Sequence, residues 1–169
     1  MHRKCGWCPL KILVLSDSHS AMRFMRNCID FHRPDTVIHL GDHYDDAEAL
    51  QELYPHIRFH MVPGNCDRFR CRSDLPLILC YDIGGVRIYM THGHLQSVKS
   101  GDFRLVTQAT DYGADIALYG HTHSPVCYQT DTGMWVMNPG TCGTYGGSVG
   151  IVEISDKKIT SCRIWRQEA

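Results

Sequence analysis

Leu10-Lys-Ile-Leu-Val-Leu-Ser-Asp-Ser-His19 is the stretch on which the fold turns. The apolar run from Leu10 to Leu15 is too short for a helix and ends in four polar residues. It reads as a buried strand that delivers Ser16, Asp17, Ser18 and His19 to its carboxyl end. Behind it, Ala21, Phe24, Met25, Cys28, Ile29 and Phe31 recur at helical spacing, with Ser20 placed as an amino-terminal cap. Thr36-Val-Ile-His-Leu40, followed by Gly41-Asp42, repeats the strand pattern, and Ala47, Leu50, Leu53 and Tyr54 form the stripe of a second helix. Ile57 to Val62 makes a third strand, stopped by Pro63-Gly64-Asn65. Two successive strand–helix–strand crossovers imply a parallel sheet with helices packed on it.

The second half is richer in strands. Leu77 to Ile83 and Val86 to Met90 read as a hairpin around Gly84-Gly85, and a helix from about Asp102 to Tyr112 precedes a strand at Asp115 to Tyr119. Val126 to Gln129 and Met134 to Met137 flank a Thr-Asp-Thr-Gly turn, and Val149 to Ile154 pairs with Ile159 to Ile164. The class is α/β, with a mixed second sheet and a two-layered sandwich of sheets between helices.

A chain of 169 residues is close to the size of one domain. The expected division is a loose extension over residues 1–9 and a single domain over 10–169. A composition of 43% hydrophobic and 21% charged residues excludes a disordered chain or a coiled coil. The net charge of −1 lacks the cationic footprint of a protein that binds extended nucleic acid or anionic membranes. No run approaches the ~20 apolar residues of a membrane span. The Leu10–Leu15 run is too short for a signal-peptide core and contains Lys11, so a cytoplasmic protein is expected. The nine cysteines are read as reduced thiols, with Cys28, Cys80, Cys127 and Cys162 as small core hydrophobes. Cys5-Gly-Trp-Cys8 lacks the second pair that a four-ligand zinc site needs.

The informative excess is in histidine, 11 residues of 169. Polar clusters close five apolar strands: Asp17-Ser18-His19, Gly41-Asp42, Gly64-Asn65-Cys66-Asp67, His92-Gly93-His94 and Gly120-His121-Thr122-His123. One Asp-x-His is usually a turn with a capped carboxylate, and Gly-Asp alone says little. Five such clusters at the carboxyl ends of strands are expected to converge, because that edge of an open parallel sheet is where ligands bind. Their glycines fit tight turns that need backbone freedom. His32, His39, His43, His56 and His60 lack such partners and read as surface or satisfied core residues.

Asp, Asn and neutral His suit a hard or borderline divalent cation, and thiols are largely missing from the clusters, which argues against iron–sulfur or structural zinc. The candidates exceed what one ion needs. A pair of ions about 3.5–4 Å apart, with one carboxylate bridging, would use them all and suits in-line displacement at phosphorus. Two divalent ions set against two carboxylates and a hydroxide leave a single net positive charge, which attracts a phosphate ester.

Asp-x-His, Gly-Asp, Gly-Asn-x-Asp, His-Gly-His and Gly-His-x-His, in this order from Asp17 to His123, resemble the motif series of the calcineurin-like metallophosphoesterase superfamily. Gly64-Asn-Cys-Asp67, the closing Asn138-Pro-Gly-Thr141 and the short chain resemble its small YfcE-type phosphodiesterases. The resemblance implies a four-layer αββα sandwich and two divalent ions, Mn²⁺ foremost, with Ni²⁺, Fe, Zn²⁺ and Mg²⁺ as alternatives. Carried over by motif, Asp17, His19 and His123 hold the first ion, Asn65, His92 and His121 the second, and Asp42 bridges them.

One position departs from most of the superfamily, where a histidine follows the motif asparagine; here, as in the YfcE-type group, it is Cys66. A thiol is a poor substitute for an imidazolium that steadies phosphoryl oxygens. Two roles are open to His94: orienting the substrate or reaching its leaving oxygen, or supporting a ligand. Asp67 is expected to buttress the turn or a ligand histidine. The expected activity is that of a phosphodiesterase in which a metal-bridging hydroxide attacks phosphorus in line, acting on a small diester. The alternative is a non-catalytic scaffold like the phosphoesterase-like subunit of retromer. Self-association is left open.

Overall fold

The computed structural model describes residues 8–69, 73–143 and 147–167. Strand β1 (Leu10–Leu15) leads into helix α1 (Met22–His32), β2 (Thr36–His39), α2 (Tyr44–Leu53) and β3 (Arg58–Met61). Thr36 to His39 lies parallel to Ile12 to Leu15 on one side and to Arg58 to Met61 on the other. The crossovers therefore build the three parallel strands expected of them. The chain continues through β4 (Ile78–Ile83), β5 (Val86–Thr91), α3 (Phe103–Asp111), β6 (Ile116–Leu118), β7 (Val126–Gln129), β8 (Trp135–Asn138), β9 (Ser148–Ser155) and β10 (Lys158–Arg166).

Two mixed five-stranded sheets result, ordered β10-β9-β1-β2-β3 and β4-β5-β6-β8-β7. The alternation of strand side chains sorts the apolar residues into three interfaces. Ile12, Val14 and Ile38 face Ile88, Met90 and Leu118 across the gap between the sheets. Their neighbours Leu13, Leu15 and Val37 point the other way, onto Met25, Cys28 and Ile29 of α1 and Leu50 of α2. On the far side, Tyr89, Ala117 and Val136 meet Leu105 and Ala109 of α3. Three apolar interfaces separate four layers, helix–sheet–sheet–helix.

Local details differ from the sequence reading. Ser20 does not cap α1. Ala21 holds the cap position without a side-chain bond, while the Ser20 N–H donates to Asp46 of α2 at 2.9 Å. Phe31 is 71% exposed. Met25, Cys28, Ile29 and His32 occupy the inward i, i+3, i+4, i+7 stripe, and Phe31 falls on its flank. Leu53, the last residue of α2, also faces outward. Cys28 is buried, whereas Cys80, Cys127 and Cys162 are half-buried against the clusters; all described cysteines are free thiols. Cys5 and most of the expected extension lie outside the described residues, and Cys8 is exposed. Among the described residues, no helix is long and apolar enough to cross a membrane.

Candidate metal centre

The five clusters meet. Asp17 and His19 follow β1, Asp42 follows β2 and Asn65 follows β3 in the first sheet, while His92 and His94 follow β5 and His121 and His123 follow β6 in the second. Donor atoms of Asp17, His19, Asp42 and His123 lie within 4.8 Å of one another. Beside them, Nε2 of His92 stands 3.1 Å from Asn65 Oδ1 and 3.5 Å from Asp42 Oδ1. The His121 ring packs against His92, with centroids 5.0 Å apart. Asp42 is common to both groups.

The backbone at these positions is unusual. Asp17, His19, Asp42, His121 and His123 all have positive φ, between 43° and 68°, and His43 has a φ of 71°. Asp and His tolerate the left-handed region better than most residues, but each such position still carries strain, which folds retain where a site over-determines the chain.

A set of buried polar contacts holds the turns. Asp67 is fully buried, and its two carboxylate oxygens accept the N–H groups of Asp42, His43, Tyr44 and Gly64 at 2.7–2.9 Å. It thereby supplies the anion at the start of α2, whose own cap residue, His43, makes no side-chain cap bond. Asp67 acts on the turn that carries Asp42. Oδ2 of Asp17 accepts from Ser16 Oγ at 2.5 Å and from the His121 N–H at 3.0 Å, while Thr141 Oγ1 donates to the Asp17 carbonyl at 2.8 Å. Asn138 Nδ2 donates to the Gly120 carbonyl and to Thr122 Oγ1 at 2.8 and 2.9 Å, fixing the turn of His121.

Two glycines are required for a reason other than turn freedom. A Cβ on Gly64 would lie 2.2 Å from Asp42 Oδ1, and one on Gly120 would lie 1.9 Å from Ser16 Oγ and 2.8 Å from Asp17 Oδ2. Each carboxylate is pressed against a residue that can only be glycine.

Proton placement tests whether a cation suits the cluster. Nδ1 of His92 lies 2.7 Å from the Leu40 carbonyl, which can only accept, so Nδ1 carries a proton and the neutral ring presents its lone pair at Nε2. That lone pair faces two further acceptors, Asn65 Oδ1 and Asp42 Oδ1. These three atoms are held together by positive charge, either a proton on Nε2 or a divalent cation in its place. Nε2 of His19 is also buried without a hydrogen-bond partner, and Oδ1 of Asp17 is buried with His123 Nε2 3.1 Å away. Burial, then His92 and Lys99, push His121 down to about 4, so its ring is neutral and able to coordinate at neutral pH. Burial opposes ionisation of Asp42, yet His92 and the Cys66 N–H, which donates at 2.9 Å, hold its carboxyl below the usual range. The donor set fits divalent cations.

Cys66 is exposed at the rim. Partial desolvation of its sulfur and the hydrogen bond to Asp42 push the thiol up to about 11, so it is neutral. His94 is half-buried, 5.5 Å from the His92 ring and 6.2 Å from that of His121, with Nδ1 buried and unbonded. His39 is a core residue with both ring nitrogens bonded, to the Gly41 N–H and Ser18 Oγ. His32 is also buried, whereas His56 is exposed. His60 bonds Tyr81.

The fold and this donor-rich edge define a metallophosphoesterase architecture. The family model for the calcineurin-like phosphoesterase superfamily domain matches residues 10–157, and the chain belongs to that superfamily of metal-dependent hydrolases. It is 27% identical over 168 residues to phosphodiesterase MJ0936 of Methanocaldococcus jannaschii, covering 87% of this chain and 93% of that one. It is 32% identical over 151 residues to vacuolar protein sorting-associated protein 29 of Schizosaccharomyces pombe, covering 78% of each. A solved structure of a predicted phosphoesterase from Streptococcus pneumoniae shares the fold at a TM-score of 0.71 and 24% identity, covering 94% of this chain and 98% of that one.

Proposed function

We propose that the chain hydrolyses small phosphate diesters at two divalent cations, with Mn²⁺ foremost. Asp17, His19 and His123 would hold one ion, Asn65, His92 and His121 the other, and Asp42 both. The observation that carries this reading is the convergence of His92 Nε2, Asn65 Oδ1 and Asp42 Oδ1, three atoms that can each offer a lone pair to a cation. Bound divalent ions would activate water and absorb charge developing on phosphoryl oxygens. The chain's own residues do the rest. Asp67 and Asn138 hold the turns of Asp42 and His121, and Thr141 anchors Asp17. His94 stands at the rim, where it orients the substrate.

Preference for a diester follows from charge. A pocket with one net positive charge is neutralised by a diester monoanion, and the neutral thiol of Cys66 offers no cation for the extra charge of a monoester. The likeness to a vacuolar sorting protein supports a second, non-catalytic reading, as a scaffold. All seven donors being present and gathered favours catalysis. The test is turnover of bis(p-nitrophenyl) phosphate and p-nitrophenyl phosphate by Mn²⁺-loaded protein. Faster hydrolysis of the diester, lost with chelator and restored by Mn²⁺, is expected. No turnover of either ester with any divalent ion overturns the proposal in favour of the scaffold.

A further inference from the structure

Next to the donor cluster lies a cavity of about 480 Å³, open on one side. Asn65 and His94 form part of its wall, so it begins where a phosphate would sit. The remaining wall is mainly aliphatic, with Leu75, Leu77 and Leu95, and includes Arg68, whose guanidinium carbon lies 5.8 Å from the Phe69 ring centroid. Leu77 and Leu95 are 40% and 53% exposed, an unfavourable placement for aliphatic side chains that a bound apolar group would relieve.

We infer that this cavity receives one organic arm of the diester and that the arm carries a planar ring. The inference rests on the activity proposed above, since a diester has two arms and one must lie beside the rim formed by Asn65 and His94. A ring fits the wall better than an alkyl chain does. Leucines cover the faces of a flat apolar group, and the guanidinium of Arg68 is planar and stacks on aromatic systems. The volume holds one or two fused rings and is far too small for a lipid with two acyl chains. Methyl or other small alkyl arms would leave the leucines in water. Aryl groups and nucleobases share the chemistry that the wall recognises.

Binding of three unreactive or slowly cleaved monoanions to Mn²⁺-loaded protein tests this: dimethyl phosphate, diphenyl phosphate and thymidylyl-(3′→5′)-thymidine. Dissociation constants come from calorimetry and inhibition constants from competition with bis(p-nitrophenyl) phosphate. Both ring-bearing ligands are expected to bind at least about tenfold tighter than dimethyl phosphate. The advantage should shrink to less than about threefold in a Leu77→Ser, Leu95→Ser double variant, whose replaced side chains are exposed and whose fold is checked by circular dichroism. Tighter binding of the dinucleotide identifies the ring as a nucleobase, and tighter binding of diphenyl phosphate identifies it as a plain aryl group; either result upholds the cavity's role. Equal affinity for all three ligands in the parent, or an advantage retained in the folded double variant, overturns it while leaving the diesterase reading intact. Absence of both binding and turnover overturns the two together.

Discussion

Nδ1 of His92 and the carbonyl oxygen of Leu40 stand 2.7 Å apart, one on the second sheet and the other at the end of β2 in the first. This contact sets the histidine tautomer and aims Nε2 at Asp42 and Asn65. The donor geometry is therefore built into the protein before any cation arrives, and a divalent ion bound there would take the place of a proton on Nε2.

Asp42 is shared by both donor groups, so its loss should be felt at both. Asp42→Ala is expected to lower bound Mn²⁺ from two ions per chain to one or fewer and to abolish turnover. Circular dichroism should stay near that of the parent, since the residue lies beyond β2 and outside the apolar clusters. Elemental analysis after desalting gives the metal count. Two ions retained would remove Asp42 from the bridging position.

Replacing Asp67 should act through stability and site geometry together. Three buried N–H groups and the part-buried one of His43 lose their acceptor in Asp67→Ala, and each unsatisfied buried donor costs ~1–3 kcal/mol before relaxation. A loss of about 3 kcal/mol or more is expected, seen as a fall in Tm of roughly 6–12 °C. Asp67→Asn keeps one carbonyl acceptor and should lose less. Equal stability of parent and Asp67→Ala in thermal melts would contradict the hydrogen-bond assignment.

Cys66→His puts an imidazole where a neutral thiol now stands. General acid help is typically worth ~10²–10⁴ in rate, so even partial recovery should raise monoester turnover relative to diester by about tenfold. The readout is the ratio of kcat/KM for p-nitrophenyl phosphate and its diester at saturating Mn²⁺, with metal content checked. A ratio unmoved in a fully metal-loaded variant would show that Cys66 does not set the preference.

Acid should destabilise the fold through His39. Burial lowers this residue from the ordinary 6.5 to about 4, outweighing the nearby carboxylates Asp67, Asp17 and Asp46. Between those values the unfolded chain binds a proton that the folded one refuses, so the stability contribution is complete above pH 6.5 and falls as pH drops toward 4. The loss from this residue reaches about 3 kcal/mol at most. His39→Gln should be less stable at pH 7 but show a flatter decline in urea midpoint from pH 7 to 4.5. Parallel declines would assign the acid sensitivity to other groups.

Most strands could be placed from the sequence because their apolar runs are short and sharply bounded, as at Leu10–Leu15 and Thr36–Leu40. The gathering of the five clusters followed from one topological rule about strand ends. What stayed hidden is nonlocal or purely spatial. Nothing in the residues around Asp67 announces that its partners are the N–H groups of residues 42–44, about two dozen positions earlier. Ser20 has the chemistry of a cap, but Asp46 of the neighbouring helix engages its N–H instead. Gly64 and Gly120 read as turn residues, whereas their role is to leave room for Asp42 and Asp17. Thr141 and Asn138 were visible only as part of a motif resemblance, without the bonds that explain them.

The bonds around Asp17 also govern when the centre comes into being. Asp17 Oδ2 waits for the N–H of His121, 104 positions later, and its carbonyl for Thr141, 124 positions later. During synthesis β1 and α1 leave the ribosome long before either partner exists, and contacts of such long range form late. A nascent chain that ends before residue 141 therefore presents only half a cradle. The donor set is complete only once the second sheet, which carries His92, His121 and His123, has closed onto the first.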